Sequence, residues 1–319
     1  MTNWAYSGVI VANEHAGGAT PSPADRVAAV CGTLLDEVSV VRTAHAGHAR
    51  VLAAKASRDG RDVVVAVGGD GTASEVAAGL HEAATGAGRG PCFLPLPAGT
   101  GNSFYREVWQ DAPWQEALAR SLGTAEPRVR RLDLARLEPT GATVLLGACS
   151  GLVAEALVTA AALTGIAGRA RYEEAVAATL RRFAPHPARI TVDGEVVHEG
   201  GVVLANVGGG RYRGGGFLLL PRSVLDDGLL DVCVVSDRLE ARELPGLTRD
   251  GRHLERPGVL YRRGRRVEIE RTDGEDLVFE RDGEVQRPAR RRYAVEVLPG
   301  VLPTLAPPPD RTNRTRGQA

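Results

Sequence analysis

Along the first 130 residues, apolar positions come in two alternating textures. Short runs at 9–12, 38–42, 63–67 and 92–96 are rich in β-branched or leucine residues, the mark of strands buried within a sheet. The stretches between them, at 23–36, 45–57, 73–83 and 112–122, carry apolar residues three and four apart and read as amphipathic helices. Strand and helix in strict alternation predict a parallel sheet with helices on both faces, a doubly wound α/β domain over residues 1–131. From about residue 131 the texture changes to β-branched alternation punctuated by turns. The segment 189–197 reads as a hairpin around Asp193-Gly194, and 264–285 behaves likewise. Residues 132–294 are therefore expected to form an antiparallel, β-rich, sandwich-like domain, with a helical insertion over 155–183.

The stretch 144–166 is long and mostly apolar, but Glu155 sits near its centre and Gly147 and Gly151 interrupt it. It reads as a buried strand, a turn and an amphipathic helix, not as a membrane span. The following helix carries Tyr172, Val176, Leu180 and Phe183 on one face. That face either lines an acyl-chain cleft or packs in the core. Residues 306–319 are rich in proline and arginine and are expected to be a disordered tail.

Composition narrows the class of protein. The 319 residues, 43% hydrophobic, suffice for two domains with cores of their own. Formal net charge is zero, so no strong field draws nucleic acid. Cys31, Cys92, Cys149 and Cys233 lie far apart, which fits free thiols in a reducing cytosol better than a disulfide framework or a zinc site. No charged-then-apolar leader opens the sequence, and a cytoplasmic location is expected.

The chemistry concentrates where strand runs break into glycine. The run 63–67 passes directly into Gly68-Gly69-Asp70-Gly71-Thr72, with helical spacing resuming at Ala73. Such a turn lets backbone amides approach an anion and aims a helix N-terminus at it. A tight connection without a ligand is the plainer reading, and Asp70 then caps the helix that follows it. A second loop of the same kind, Pro97-Ala98-Gly99-Thr100-Gly101-Asn102-Ser103, follows the run at 92–96. In open α/β sheets, loops at neighbouring strand ends converge on one crevice. Lys55 is the only lysine, so a P-loop lysine is excluded, and no Gly-x-Gly-x-x-Gly follows the first strand.

These motifs together resemble the diacylglycerol kinase catalytic-domain family, notably its bacterial soluble lipid kinases and the sphingosine and ceramide kinases. The likeness rests on Gly68 to Thr72 with Glu75 and Gly79-Leu80, then Pro97-x-Gly99-Thr100-Gly101-Asn102. Upstream, Asn13 with Gly17-Gly18 and Thr43 with Gly47-His48-Ala49 match in order. Downstream, Asn206, Gly214-Gly215-Gly216, Asp227-Gly228-Leu229-Leu230-Asp231 and Asp282-Gly283-Glu284 do the same. NAD kinases share the Gly-Gly-Asp-Gly-Thr loop but not the Asp-Gly-Leu-Leu-Asp segment.

The resemblance implies an ATP- and Mg2+-dependent kinase of diacylglycerol or a related lipid, with a role in phospholipid metabolism, transient contact with a membrane surface and room for a homodimer. It also suggests that residues 295–305 return to the first domain. Nucleotide binding would fall to Asn13, Gly17, Thr43, Gly68, Gly69, Asp70, Gly71, Thr72, Glu75, Thr100 and Asn102. Asp133 would belong to a magnesium–water network, and Asp227, with main-chain oxygens of Val224 and Leu229, to a second magnesium site. Asp70 would contact nucleotide or metal-bound water. Asp-Gly-Glu occurs three times, at Asp193, Asp273 and Asp282, and spacing makes each a hairpin turn. By resemblance alone the last holds the catalytic base, either Asp282 or Glu284. Two departures stand out: Ser103 where these kinases usually carry Asp, and Glu14 in place of a loop proline. A nucleotide-binding regulatory protein that has lost catalysis, or a kinase of NAD or another small metabolite, are the alternative readings.

Overall fold

The structure is a computed structural model and describes residues 6–13, 22–84, 90–124, 127–214 and 216–308. Two compact units divide the chain, one of residues 6–132 with 300–308 and one of residues 133–299.

The first unit alternates β1 (Ser7–Ala12), α1 (Pro23–Leu34), β2 (Glu37–Arg42), α2 (His48–Arg58), β3 (Val63–Gly68), α3 (Asp70–Ala84), β4 (Cys92–Pro97), α4 (Ser103–Trp109) and α5 (Trp114–Leu122). The four strands are parallel, in the order β2-β1-β3-β4. Every residue of β3 is buried, as its unbroken apolar run requires for a strand flanked on both edges and covered on both faces. Helices α2 and α3 pack together, as do α1 and α5. A β-carbon on Gly79 would lie 2.1 Å from the Arg50 carbonyl oxygen, so glycine is what lets α2 and α3 approach. Residues 300–308 return to this unit, where Thr304 is in register with Phe93 of β4. Ala306, expected in the tail, is instead 3% exposed and donates its N–H to Arg128 O. Residues 309–319 lie outside the described residues.

The order 2-1-3-4 reverses direction between β1 and β3. Such a switch point opens a crevice beyond the strands' carboxyl ends. Asn13 follows β1, and Gly69 to Thr72 follow β3.

The second unit is antiparallel. It takes over from β5 (Val129–Glu138), which pairs with β6 (Ala142–Val144). Then come β7 (Ala148–Gly151), the helical pair α6 (Leu152–Ala162) and α7 (Gly168–Leu180), β8 (His186–Val192), β9 (Glu195–Gly208), the short hairpin β10 (Tyr212–Arg213) and β11 (Phe217–Leu218), and β12 (Leu230–Ser236). A short helix α8 (Leu244–Leu247) precedes β13 (Val259–Gly264), β14 (Arg266–Arg271), β15 (Phe279–Arg281), β16 (Glu284–Val285) and β17 (Arg292–Leu305). Strands β7 and β12, and β9 from Val202 to Gly208, are buried on both faces. Ala148, Val207 and Val232 join one core with Ile190, Val267, Phe279 and Tyr293. Cys149, Val203 and Cys233 join another with Leu152, Leu219 and Leu220. Leu180, the last residue of α7, and Phe183, beyond the helix end, pack against this second core, so both serve core packing. Tyr172 and Val176 line an apolar slot with Leu152, Val153, Phe217 and Leu219. Its free volume is about 20 Å³, room for about one water, so the slot as it stands admits no acyl chain. No helix among the described residues is long and apolar enough to cross a membrane.

Candidate active site

At the carboxyl edge of the parallel sheet, the ends of all four strands are tied together by main-chain hydrogen bonds. Asn13 N donates to Val67 O at 3.0 Å, Thr43 N to Ala12 O at 2.9 Å, and Ala98 N to Gly68 O at 2.9 Å. The two glycine loops touch backbone to backbone: a β-carbon on Gly99 would lie 2.4 Å from Gly69 Cα, and only glycine permits that approach. Helix α3 starts at Asp70 itself, so the amides of its first turn have no acceptor within the helix and form an electropositive end beside Asn13. The Asn13 side-chain amide reaches Thr72 Oγ1 at 3.5 Å. Gly71 and Thr100 are exposed around this edge, and Thr43 is half-buried. Gly17 lies outside the described residues.

Two carboxylates here serve the scaffold in ways that spacing does not reveal. Asp70 Oδ1 accepts from Phe104 N at 2.9 Å, so it caps α4 and not the helix it begins. Asn102 precedes α4 with a left-handed φ of 50°, and its side chain closes the second loop through Gly99 N and O at 2.9 and 2.8 Å. Glu75 places one oxygen on Gly47 N at 2.7 Å and the other on Ala49 N at 3.0 Å. This gives the Gly47-His48-Ala49 element its role: it opens α2, and Glu75 supplies the cap that Gly47 lacks. His48 Nδ1 accepts from Ala44 N at 3.0 Å and closes the same turn.

In the second unit, Asp133 Oδ2 accepts from Gly228 N at 2.7 Å, while its own N–H donates to Leu225 O at 2.7 Å. Asp133 thus ties β5 to the 225–228 turn. Asp227 accepts from Leu229 N at 3.1 Å through Oδ1, and Arg263 Nη2 sits on Oδ2. Arg263 Nε is also 3.5 Å from the fully buried Asp231, whose carboxyl burial pushes up to about 6. Magnesium takes an open cage of hard oxygens. Around Asp227 both carboxylate oxygens are engaged and a guanidinium already balances the charge, so the Asp227 carboxylate as arranged does not suit a second magnesium ion. Among the described residues no group of three or more His, Cys, Asp or Glu side chains is placed to hold a metal.

The three Asp-Gly-Glu segments differ by what the Asp meets. Asp193, at φ 49° with Gly194 at 88°, joins β8 to β9 and accepts from Arg265 N and Arg266 N at 2.9 and 2.8 Å. Asp273 is paired with Arg271 at the surface, 2.8 Å away. Asp282, at φ 48° with Gly283 at 90°, joins β15 to β16 in the same left-handed two-residue turn that favours Asp-Gly. Its side chain is 3% exposed. Its carboxylate accepts from Leu145 N and Leu146 N at 2.8 Å and from Gly147 N at 3.1 Å. A carboxylate so engaged holds the turn and is not free to take up a substrate proton. Glu284, two residues on, is 62% exposed at its side chain, and its carboxylate meets Arg281 Nη2 at 2.9 Å. Of the two candidates, Glu284 is therefore the accessible one.

Three charged residues beside this hairpin escaped the sequence reading. Glu280, 1% exposed, lies between Arg213 and Cys149, with Arg213 Nη2 at 2.8 Å and Cys149 Sγ at 3.0 Å from Oε1. Arg281 links Glu284 to Thr143 O at 2.7 Å. The signal available was Glu280-Arg281 itself, a charged pair immediately before the hairpin Asp.

Two family models match this chain. The diacylglycerol kinase catalytic domain covers residues 7–137, and the YegS C-terminal NAD kinase beta sandwich-like domain covers residues 147–306. The chain belongs to the diacylglycerol kinase catalytic-domain family. A Stenotrophomonas maltophilia protein named "Probable lipid kinase YegS-like" is 32% identical over 262 residues, covering 80% of this chain and 82% of its own. A Mycobacterium tuberculosis protein named diacylglycerol kinase is 30% identical over 264 residues, covering 81% of each. Family membership makes this chain a kinase, a transferase that phosphorylates an alcohol, of lipid-kinase type. A solved diacylglycerol kinase from Bacillus anthracis superposes with a TM-score of 0.72 at 20% identity over 95% of this chain and 97% of its own, a likeness of fold. An Archaeoglobus fulgidus NAD kinase solved with ATP does so at 0.51 and 13% identity over 97% and 96%.

Proposed function

We propose that this kinase transfers the γ-phosphate of ATP, bound as its magnesium complex, to the hydroxyl of diacylglycerol or a related lipid. The observation that carries the reading is Glu284, an exposed carboxylate on a hairpin whose neighbouring carboxylates are immobilised, in a chain whose relatives are named for lipid phosphorylation. Phosphoryl transfer asks the protein mainly for positioning and charge stabilisation. The amides of Gly69, Gly71 and Thr72 at the start of α3 would meet nucleotide phosphate, with Asn13, Thr43, Thr100 and Asn102 orienting phosphate and sugar. Asp70 keeps the second loop in place through α4 and would supply carboxylate charge to the nucleotide's magnesium. Glu284 would accept the lipid hydroxyl's proton as its oxygen bonds to the γ-phosphorus and ADP leaves. Asp282 and Asp133 act by fixing main chain. A lipid acceptor implies working at a bilayer surface, and zero net charge provides no electrostatic hold on an anionic one.

The test is transfer of label from γ-labelled ATP with Mg2+ to parallel acceptors: diacylglycerol in mixed micelles, a sphingoid base, a total lipid extract and NAD. Label in the organic phase with diacylglycerol supports the reading. Label in NADP alone makes the acceptor a nucleotide, and ATP binding with no transfer makes the chain a nucleotide-binding regulator; either result overturns it.

A further inference from the structure

Two charged groups with almost no access to water lie behind the Asp-Gly-Glu hairpin of the second unit. The side chains of Arg213 and Glu280 are 7% and 2% exposed. Placing both charges out of water is costly, and an apolar pair of similar volume often serves stability as well or better. What an apolar pair cannot do is hold main-chain donors. Glu280 Oε1 accepts from Arg213 Nη2 at 2.8 Å and from the Cys149 thiol at 3.0 Å, while Oε2 accepts from Gly283 N at 2.7 Å. Burial opposes the Arg213 charge, yet Glu280 and Asp282 hold its proton more tightly than usual. Burial and Glu280 likewise push the Cys149 thiol well up, which keeps it a donor. Arg213 Nη1 lies 3.9 Å from Asp282 Oδ1, so one guanidinium stands between the two carboxylates that pin the turn. Arg213 itself belongs to β10, paired with Phe217 of β11 across a glycine turn. The Gly283 amide and, through Arg213, the Asp282 carboxylate thus meet this buried group, and the residue that follows, Glu284, faces solvent.

We propose that Arg213 and Glu280 are positioning residues that clamp the Asp-Gly-Glu hairpin and so fix Glu284 for proton acceptance. The inference rests on Glu284 being the base. Arg213 and Glu280 do not touch substrate; they act through the Gly283 amide and Asp282. Loss of the clamp leaves the hairpin covalently intact but free to wander by an ångström or so, which is enough to cost a large part of the rate.

The experiment uses the full chain with Arg213→Met and Glu280→Leu combined, so that no buried charge is left alone by the pair's removal. It also uses Arg213→Lys, which keeps the single-nitrogen contact to Glu280. Hydrogen–deuterium exchange is followed in the 279–286 and 143–149 segments, with kcat, KM for ATP and thermal unfolding measured in parallel. The clamp predicts that the double variant still unfolds cooperatively near the wild-type temperature while both segments exchange at least about tenfold faster and 63–72 does not change. It predicts kcat down about 10²-fold with KM for ATP within about twofold, and kcat in Arg213→Lys restored to within about threefold of wild type. Unchanged exchange in the two segments overturns the proposal, as does a kcat that falls only in step with the loss of folded protein. If the wild-type chain phosphorylates no lipid, the functional reading fails, and the exchange comparison still decides the clamp.

Discussion

Asp282 and Glu284, one glycine apart, should respond to neutralisation in opposite ways. Asp282→Asn keeps the shape of the side chain, and Asn tolerates the left-handed φ of 48° at that position, so the turn itself survives. What changes is the hydrogen bonding. One asparagine oxygen can still serve Leu146 N and Gly147 N, but the amide nitrogen now faces Leu145 N, previously 2.8 Å from a carboxylate oxygen. One donor is stranded, two bonds lose their charge assistance, and the cost is about 2–4 kcal/mol. For a unit of this size that lowers the melting temperature by about 5–15 °C. Glu284→Gln disturbs only an exposed pair with Arg281, worth about 0–1 kcal/mol. Thermal unfolding by circular dichroism compares the two variants directly. A melting temperature for Asp282→Asn within about 2 °C of wild type, or a larger loss for Glu284→Gln, would refute the assignment of the structural role to Asp282.

Glu75→Ala should cost about 1–2 kcal/mol in urea unfolding, because Gly47 N and Ala49 N at the start of α2 lose their acceptor. Gly79→Ala should destabilise by about 1–3 kcal/mol despite alanine's better helix propensity, since its β-carbon meets Arg50 O and α2 must move away from α3. Burial, with Arg271 adding to it, pushes His186 down from 6.5 to about 4, so the native imidazole stays neutral where the unfolded one binds a proton. Stability from this group is complete above pH 6.5 and is lost as pH falls toward 4, about 3 kcal/mol in all. His186→Leu should flatten that part of the pH dependence of unfolding, and an unchanged slope would contradict the buried neutral histidine.

Local order was legible where the chain itself carries the contrast. An unbroken apolar run ending in Gly68-Gly69 can only be a buried strand entering a tight turn, and β3 and α3 meet there. The helix after the second loop was harder, because α4 is capped by Asp70 across 34 positions of sequence. The three Asp-Gly-Glu segments are equal as sequence. They separate only once the fold decides which amides each Asp meets: those of 145–147 for Asp282, those of Arg265 and Arg266 for Asp193, and Arg271 for Asp273. Arg213, Glu280 and Arg263 were invisible for a related reason. A charged residue in a strand reads as facing solvent, and only the partner strands place Glu280 inward against Arg213. The Asp227 turn shows the converse. Its oxygen-rich sequence suits a cation, and Arg263, 36 residues on in β13, supplies the positive charge instead.

The most direct test of lipid phosphorylation through Glu284 is the steady-state rate on diacylglycerol micelles for wild type against Glu284→Gln, with melting temperature as the control for folding. Removal of a general base predicts a fall in kcat of about 10²–10⁴-fold with melting unchanged. A Glu284→Gln enzyme that retains its rate to within about threefold would contradict the account and move the base elsewhere.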